Sequence, residues 1–205
     1  QSDCLLFINN SIARFGKIDI LINNAGISMR SLFVNTDVDV LKRLMDINFW
    51  GMVYCTKYAL PELLKSGGSV VGVSSIAGFK GLPGRTGYSA SKFAMNGFLE
   101  SLRNENYRTP LHVLVACPGY TSSNIRKSAL NGEGIEQEET PLDESKLMAP
   151  EEVAEQIWNA IVKRRKYLIL TFTGKVAIWA NKFWPSLADW MAYNYVRREP
   201  GSPFT

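Results

Sequence analysis

A phenol and an ammonium group lie one helical turn apart within residues 69–92. Tyr88 and Lys92 are separated by four positions, so a helix places both side chains on one face. A free tyrosine titrates at about pH 10, but a cation within about 4–6 Å favours the phenolate and lowers the pKa. Such a phenol can exchange a proton with an alcohol or a carbonyl oxygen. The spacing therefore predicts a proton-transfer pair.

Ser75 supplies a third polar group to the same region. It follows a β-branched run at residues 70–73, and a Gly-rich turn separates it from Tyr88. A strand followed by a turn and a helix would bring the Ser75 hydroxyl to the start of the helix that carries Tyr88. The three side chains are then predicted to converge on one C–O bond. A Tyr-x-x-x-Lys pair alone is weak evidence, because a chain with 8 tyrosines contains such pairs by chance.

Other polar segments follow apolar runs along the chain. Asn23-Asn24-Ala25-Gly26 follows the apolar residues 18–22, Asn48 lies within a long helical pattern, and Pro118-Gly119 closes the apolar run at residues 112–117. In this order and at these spacings, the whole set resembles the classical short-chain dehydrogenase/reductase family. The matching part of the chain runs from about Ile18 to Tyr167 and includes Ser75, Tyr88 and Lys92.

The resemblance implies an α/β fold, a Rossmann-like three-layer αβα sandwich with a mostly parallel sheet. Members of the family begin with a βαβ unit whose Gly-rich turn receives the cofactor pyrophosphate. Nothing upstream of Ile18 matches that turn, so we expect residues 1–205 to form a single, partial NAD(P)-binding domain that lacks the first βαβ strands. We also expect the first strand to leave an apolar sheet edge. A chain without the turn is expected neither to bind the nicotinamide cofactor tightly nor to turn over substrate.

The resemblance also implies roles for four side chains. Tyr88 is the acid/base, and Lys92 lowers its pKa and holds the nicotinamide ribose. Ser75 binds the reacting oxygen. Asn48 anchors a water that relays protons from Lys92, or else serves as a buried amide that ties two elements together.

The implied cofactor is NAD or NADP, and the residue that would discriminate between them is not in view. The family pattern Pro-Gly-x-x-x-Thr places Ser123 where the nicotinamide carboxamide binds, while Thr121 is a second candidate for the same contact. No metal site is implied. The expected cofactor contacts are Asn23, Ala25, Gly26, Tyr88, Lys92, Pro118, Gly119, Thr121 and Ser123.

Composition excludes several other classes of protein. The chain is 46% hydrophobic with a formal net charge of +4, and its basic residues are scattered apart from residues 163–166, which argues against nucleic-acid binding. Cys4, Cys55 and Cys117 have no C-x-x-C spacing and are typical of reduced thiols in a cytoplasmic protein. The only histidine, His112, opens an apolar strand and is expected to be structural, which argues against a Ser-His-Asp hydrolase.

Two segments beyond the central motifs are candidate substrate elements. Residues 120–148 form the expected substrate loop, and within it the acidic residues 131–146 are expected to be mobile, as a lid or as a solvated insertion. The aromatic extension at residues 174–205 is too interrupted to span a membrane. We expect it to close the substrate pocket or to pack on another subunit, and the alternative is an amphipathic anchor on a membrane surface.

Together these features predict an enzyme that interconverts a secondary alcohol and a ketone. Phe79, Leu82, Met148 and the aromatic extension suggest an apolar small-molecule substrate. Small residues early in the helix that begins near Thr86 suggest a homodimer or homotetramer. The alternatives are a non-catalytic Rossmann-fold protein used for binding or regulation, and a membrane-associated lipid or steroid reductase.

Overall fold

The structure is a computed structural model of the chain, and it describes residues 1–138 and 147–204. Helices and strands alternate through the first part, and two helices follow the last strand. The order is α1 (Ser2–Phe15), β1 (Ile20–Asn23), α2 (Val38–Leu44), α3 (Gly51–Ser66), β2 (Ser69–Val73), α4 (Thr86–Glu105), β3 (His112–Cys117), α5 (Pro150–Val162), β4 (Tyr167–Ile169), α6 (Phe172–Phe183) and α7 (Pro185–Arg197).

The four strands form a parallel sheet in the order β1-β2-β3-β4. Val70 of β2 lies opposite Leu21 of β1 and Val113 of β3. The central strands β2 and β3 are almost completely buried, which explains why they read as continuous apolar runs rather than as an alternating pattern. The predicted α/β fold with a parallel sheet is confirmed.

Helices cover both faces of this sheet. On one face α1, α3 and α4 pack against β2 and β3, and on the other face α5 packs against the same strands. The three-layer arrangement follows because each strand is apolar on both sides and must bury both. The first face contains Ile8, Leu63, Val70 and Leu99, and the second contains Val71, Leu114, Val153 and Ile157.

Glycines end two of the helices where the sequence predicts a stop. Gly16 after α1 has φ 78° and Gly67 after α3 has φ 64°, and only glycine enters this left-handed region without a steric penalty. The mostly apolar residues at 167–171 predict the last strand, and the structure shortens it, because β4 ends at Ile169. Thr171 instead caps α6, where its Oγ1 accepts the N–H of Gly174 at 3.1 Å.

A widened helical turn connects α2 to α3. Residues Met45–Trp50 form a π-helix between the two α-helices, and such turns distort the regular hydrogen-bond ladder of a helix. Asn48 lies in this turn and is 1% exposed. The turn directs a buried polar side chain toward the loop that follows β1.

The predicted aromatic extension is the helical pair α6–α7. Asn181 of α6 donates from Nδ2 to the carbonyl of Phe79 at 3.0 Å, and Asp189 of α7 forms an ion pair with Lys80. Both contacts attach the pair to the turn that follows β2. Within the two described ranges, no helix is long and apolar enough to cross a membrane.

His112 and Cys117 are buried, whereas Cys4 and Cys55 are partly exposed. Both ring nitrogens of His112 are hydrogen-bonded: Nε2 donates to the carbonyl of Arg165 at 2.8 Å, which leaves Nδ1 to accept from Ser69 Oγ at 3.0 Å. Cys4 and Cys55 are neighbours across α1 and α3, and all three thiols are free. In the described parts of the chain, no cluster of side chains suits a metal ion.

Candidate active site

A cavity of about 1300 Å³ lies at the carboxyl ends of β1, β2 and β3. Ligands of open α/β sheets bind at this end of the strands. The α4 helix, residues 118–126, α5 and the α6–α7 pair complete the wall. Most of the residues that the sequence predicted for the site line this cavity, namely Ala25, Gly26, Ser75, Tyr88, Lys92, Pro118, Gly119, Thr121 and Ser123.

Tyr88 and Lys92 share the inner face of α4. The Lys92 Nζ lies 5.7 Å from the centroid of the Tyr88 ring, and it donates to the carbonyl of Val73 at 2.8 Å. The Lys92 side chain is buried, and burial lowers its pKa from 10.5 to about 8. The amine is therefore mostly charged at neutral pH but close to the point where it releases a proton.

The expected effect of Lys92 on its neighbour is wrong for this arrangement. The pKa of Tyr88 is raised rather than lowered, because burial penalises the phenolate more than nearby groups stabilise it. The Ser75 hydroxyl and the Arg85 guanidinium act in the opposite direction and lower the pKa of Tyr88 by less. Tyr88 is thus a neutral phenol at neutral pH, which makes it a proton donor.

Ser75 lies at the carboxyl end of β2, where it caps a short 3-10 turn. Its Oγ accepts the N–H of Ala77 at 3.1 Å. Accepting this bond fixes the oxygen and leaves the hydroxyl hydrogen to donate. The position beside Tyr88 agrees with the predicted convergence of the two hydroxyl groups.

Asn48 ties the π-helical turn to two other elements. Its Oδ1 accepts the N–H of Ile27 at 2.8 Å, and its Nδ2 donates to the carbonyl of Ile27 at 3.0 Å and to Ser91 Oγ at 2.9 Å. Both amide hydrogens are therefore used within the protein, as the tying alternative requires. The water relay stays a prediction, and a relay water would have to bond to an oxygen of Asn48.

Gly26 permits the close approach of these groups. A Cβ at this position would lie 3.1 Å from Asn48 Oδ1 and 3.5 Å from Lys92 Nζ. The Asn23 side chain is engaged elsewhere, because its Nδ2 donates to Thr56 Oγ1 at 3.2 Å. This bond joins β1 to α3, and the predicted cofactor contact of Asn23 stays a prediction.

The segment after β3 turns sharply into the cavity wall. A side chain on Gly119 would collide with the methyl group of Thr171. Thr121 Oγ1 donates to the carbonyl of Gly119 at 3.2 Å, and Ser123 also lines the cavity. The choice between Thr121 and Ser123 as the nicotinamide contact therefore stays open.

The substrate loop is only partly described, because residues 139–146 lie outside the described ranges. The preceding part is attached to the loop after β1: Leu130 donates to the carbonyl of Ser28 at 2.9 Å, and Asp37 donates to the carbonyl of Gly132 at 2.8 Å. These bonds anchor the start of the segment, and the mobility expected from residue 131 stays a prediction.

Two of the expected substrate contacts lie elsewhere. Leu82 lines the cavity, but Phe79 and Met148 pack against the two core clusters instead. Tyr195 of α7 takes part in the wall and stacks on Tyr120, with ring centroids 6.5 Å apart. The C-terminal helices therefore contribute more of the apolar cavity wall than the sequence suggested.

A buried ion-pair cluster beside Tyr88 was missed by the sequence analysis. Glu199 lies just after α7, and its Oε2 is 3.1 Å from Arg85 Nη2 and 3.4 Å from Arg30 Nη2. The side chains are only 4%, 14% and 11% exposed, respectively. The three residues lie far apart along the chain, so no local pattern could have grouped them.

A family model described as short chain dehydrogenase matches residues 1–134 of the chain. The chain belongs to the short-chain dehydrogenase family. The chain is 36% identical over 196 residues to a "Dehydrogenase/reductase SDR family protein 7-like" of Drosophila melanogaster. This match covers 94% of the chain and 60% of the relative. The chain is 35% identical over 187 residues to "Dehydrogenase/reductase SDR family member 7B" of Mus musculus, covering 90% of this chain and 58% of the relative. The dehydrogenase chain thus spans about 60% of the length of these relatives.

Solved structures have the same fold. A short-chain dehydrogenase from Streptomyces avermitilis matches with a TM-score of 0.75 at 26% identity, covering 95% of this chain and 76% of the other. A short chain dehydrogenase/reductase from Burkholderia phymatum, solved in complex with NAD, matches with a TM-score of 0.78 at 19% identity, covering 91% and 73%. These matches confirm the Rossmann-like architecture that the sequence predicted.

Proposed function

We propose that this dehydrogenase chain provides the catalytic centre of an NAD(P)-dependent oxidoreductase that interconverts a secondary alcohol and a ketone. The observation that carries the proposal is the meeting of Ser75, Tyr88 and Lys92 at one wall of a single cavity, at the carboxyl ends of the strands. Family membership and the NAD complex of the Burkholderia phymatum protein support the same chemistry.

The residues present fit a nicotinamide cofactor. The loop after β1 offers Ala25 and Gly26, and the turn after β3 offers Gly119, so backbone on two sides of the cavity can approach a flat ligand closely. The Lys92 ammonium carries three hydrogens, of which the carbonyl of Val73 accepts one. The other two hydrogens could be donated to a ribose hydroxyl of the cofactor. When bound, the cofactor supplies the hydride chemistry.

The proton chemistry falls to Tyr88 and Ser75. In the direction of carbonyl reduction, the neutral Tyr88 phenol donates its proton to the substrate oxygen as negative charge develops there. The Ser75 hydroxyl donates a hydrogen bond to the same oxygen and holds it against the phenol. The raised pKa of Tyr88 keeps the phenol protonated before reaction.

Lys92 is suited to restoring the proton on Tyr88. Its pKa of about 8 lies close to neutrality, so the ammonium can release and regain a proton near the working pH. We propose that the relay then continues through a water on an oxygen of Asn48.

The substrate is proposed to be an apolar small molecule. Ile76, Leu82 and Ile125 line the cavity together with Met191 of α7, and the polar side chains of Ser75, Tyr88 and Lys92 share this lining. An apolar pocket with a few convergent polar groups is typical of small-molecule sites. A lipid or steroid reductase is therefore the favoured form of the proposal.

Replacing Tyr88 with phenylalanine tests the reaction in the intact protein. Tyr88→Phe removes the transferred proton, so turnover of a ketone panel should fall by at least about 10²-fold, with little change in cofactor binding measured by nicotinamide fluorescence. Tyr107→Phe, at a residue that is 82% exposed, is the matched control. Near-parental turnover of Tyr88→Phe would remove this residue from the mechanism. Cofactor binding by the parent without turnover of any ketone would instead favour the non-catalytic alternative.

A homodimer or homotetramer in the cytoplasm is the remaining part of the proposal. The outer face of α4 exposes Ala90, Phe93 and Gly97, beside an exposed Trp50. Small residues next to aromatic ones permit close helix packing between subunits. Sedimentation analysis of Phe93→Glu, expected to be monomeric, tests this assembly.

A further inference from the structure

The outer face of the α6–α7 pair is an exposed apolar stripe. In α6 the exposed residues Phe172, Val176, Trp179 and Phe183 recur at helical spacing. In α7 the stripe continues through the exposed residues Leu187, Trp190 and Met191. Phe172, Val176 and Met191 also border the cavity, so the stripe begins at the cavity rim. Amphipathic helices normally turn such a stripe toward the core, whereas this one is exposed and available to something outside this chain.

The inner face of the same helices is built differently. Gly174, Ala177 and Ala180 of α6, with Ala188 and Ala192 of α7, line the cavity that holds Tyr88. Small residues on this side bring the helices close to the cavity without filling it. The exposed stripe therefore meets the proposed substrate cavity at its rim, at Phe172, Val176 and Met191.

Basic side chains border the stripe. Lys175 and Lys182 each follow an aromatic residue of the stripe by three positions. At 100° per residue, both lie about 60–80° around the helix from the direction of Phe172, which belongs to the stripe. The α6 helix contains no Asp or Glu, and the acid of α7, Asp189, is paired with Lys80. Arg197 and Arg198 add positive charge at the end of α7. Tryptophan and phenylalanine on one face with lysines at its edge are typical of helices that lie in a membrane interface.

We propose that the outer face of α6–α7 binds the surface of a membrane that contains anionic phospholipid. The aromatic stripe enters the region between headgroups and acyl chains, while Lys175 and Lys182 extend to the phosphates. The pair lies on the membrane rather than across it. If the proposed function holds, a lipophilic alcohol or ketone can pass from the bilayer along the α6–α7 pair into the cavity.

A second copy of the chain is the competing occupant of this face. Two copies packed stripe to stripe would bring their lysine edges together, and like charges at the edge of an apolar contact are unfavourable. An anionic lipid surface complements both the apolar stripe and its lysine edge.

Co-sedimentation with lipid vesicles tests the proposal on the full chain. The parent should bind phosphatidylcholine vesicles that contain phosphatidylserine and bind vesicles of pure phosphatidylcholine more weakly. Trp179→Ser combined with Trp190→Ser should reduce binding at least about tenfold, because affinity follows the buried apolar area. Lys175→Glu combined with Lys182→Glu should reduce binding to the anionic vesicles by about 25-fold or more, at roughly fivefold for each lost charge. Phe7→Ser combined with Phe15→Ser, at exposed aromatics of α1, is the matched control and should bind like the parent.

Two results would overturn the membrane proposal. One is parental vesicle binding by both α6–α7 variants. The other is a parent that ignores vesicles and self-associates, while the tryptophan variant sediments as a smaller species, which would assign the face to a second copy. Turnover of a water-soluble ketone by the intact protein tests the proposed function separately. Neither variant alters Ser75, Tyr88 or Lys92, so both variants should keep this turnover whether or not the membrane proposal fails.

Discussion

The α4 helix and the α6–α7 pair line the same cavity but are built by opposite means. The inner face of α4 buries polar groups, and Lys92 and Ser91 are held there by Val73 and Asn48 at distances of 2.8 and 2.9 Å. The α6–α7 pair presents mainly small apolar residues to the cavity and exposes most of its aromatic residues. Proton transfer needs fixed polar geometry, whereas an apolar ligand needs only shape and a dry wall. Under the proposed function, α4 therefore carries the chemistry and α6–α7 selects the substrate.

Replacing Lys92 tests whether the polar face of α4 is maintained for function at a cost in stability. Lys92→Met should lower turnover by about 10²- to 10⁴-fold. At neutral pH it should raise the free energy of unfolding by about 2 kcal/mol, because about 3 kcal/mol of burial cost is relieved and about 1 kcal/mol of hydrogen bonding is lost. Urea unfolding measures the second effect.

The gain in the free energy of unfolding expected for Lys92→Met depends on pH in a definite direction. The pKa of Lys92 is about 8 in the folded protein and 10.5 ordinarily, so the unfolded chain binds more protons between these values. The burial cost is complete below pH 8, and the parent gains stability as the pH rises from 8 to 10.5. The advantage of Lys92→Met should therefore shrink across this window. Lys57→Met, at an exposed lysine of α3, should show neither effect, and a destabilised Lys92→Met at neutral pH would contradict the account.

Replacing Glu199 tests whether ion pairs alone position the end of α7. Glu199→Gln leaves Arg30 and Arg85 buried without their carboxylate, which should lower the free energy of unfolding by about 3 kcal/mol. Hydrogen exchange should quicken in α7, and KM should rise more than kcat falls, because the cavity wall loosens while Ser75 and Tyr88 stay in place. Glu155→Gln, at an exposed carboxylate of α5, is the control and should leave exchange in α7 unchanged. Unchanged exchange in α7 would show that packing holds the helix without Glu199.

Gly26→Ala tests the close packing behind α4 and should have the smallest effect. The new Cβ would lie 3.1 Å from Asn48 Oδ1, so the Asn48 amide must shift by a few tenths of an ångström. Turnover should fall about tenfold, because small displacements of positioned groups are costly in catalysis. Gly81→Ala, where a Cβ also meets nothing within 4 Å, should keep full turnover. Equal turnover of the two variants would show that Asn48 and Lys92 tolerate displacement.

Several parts of the site were predictable because they depend on local spacing. A separation of four positions on a helix brings Tyr88 and Lys92 to one face, and a strand that ends at Val73 brings Ser75 to the same edge of the sheet. Other features depend on long-range packing. The Asn23 side chain, at the end of β1, bonds to Thr56 on α3, and Phe79 packs against the core although it follows β2 as Ser75 does.

The sequence by itself determined the parallel α/β order, the strand ends that carry polar residues, and the family. Each of these follows from the periodicity of helices and strands and from motifs within a short stretch of chain. The tertiary structure decided the direction of the Tyr88 pKa, because desolvation depends on everything that surrounds the ring. It also decided that Glu199 meets Arg30 and Arg85 and that α6–α7 turns its aromatic stripe outward. Both depend on contacts between residues far apart in the chain, which no local pattern encodes.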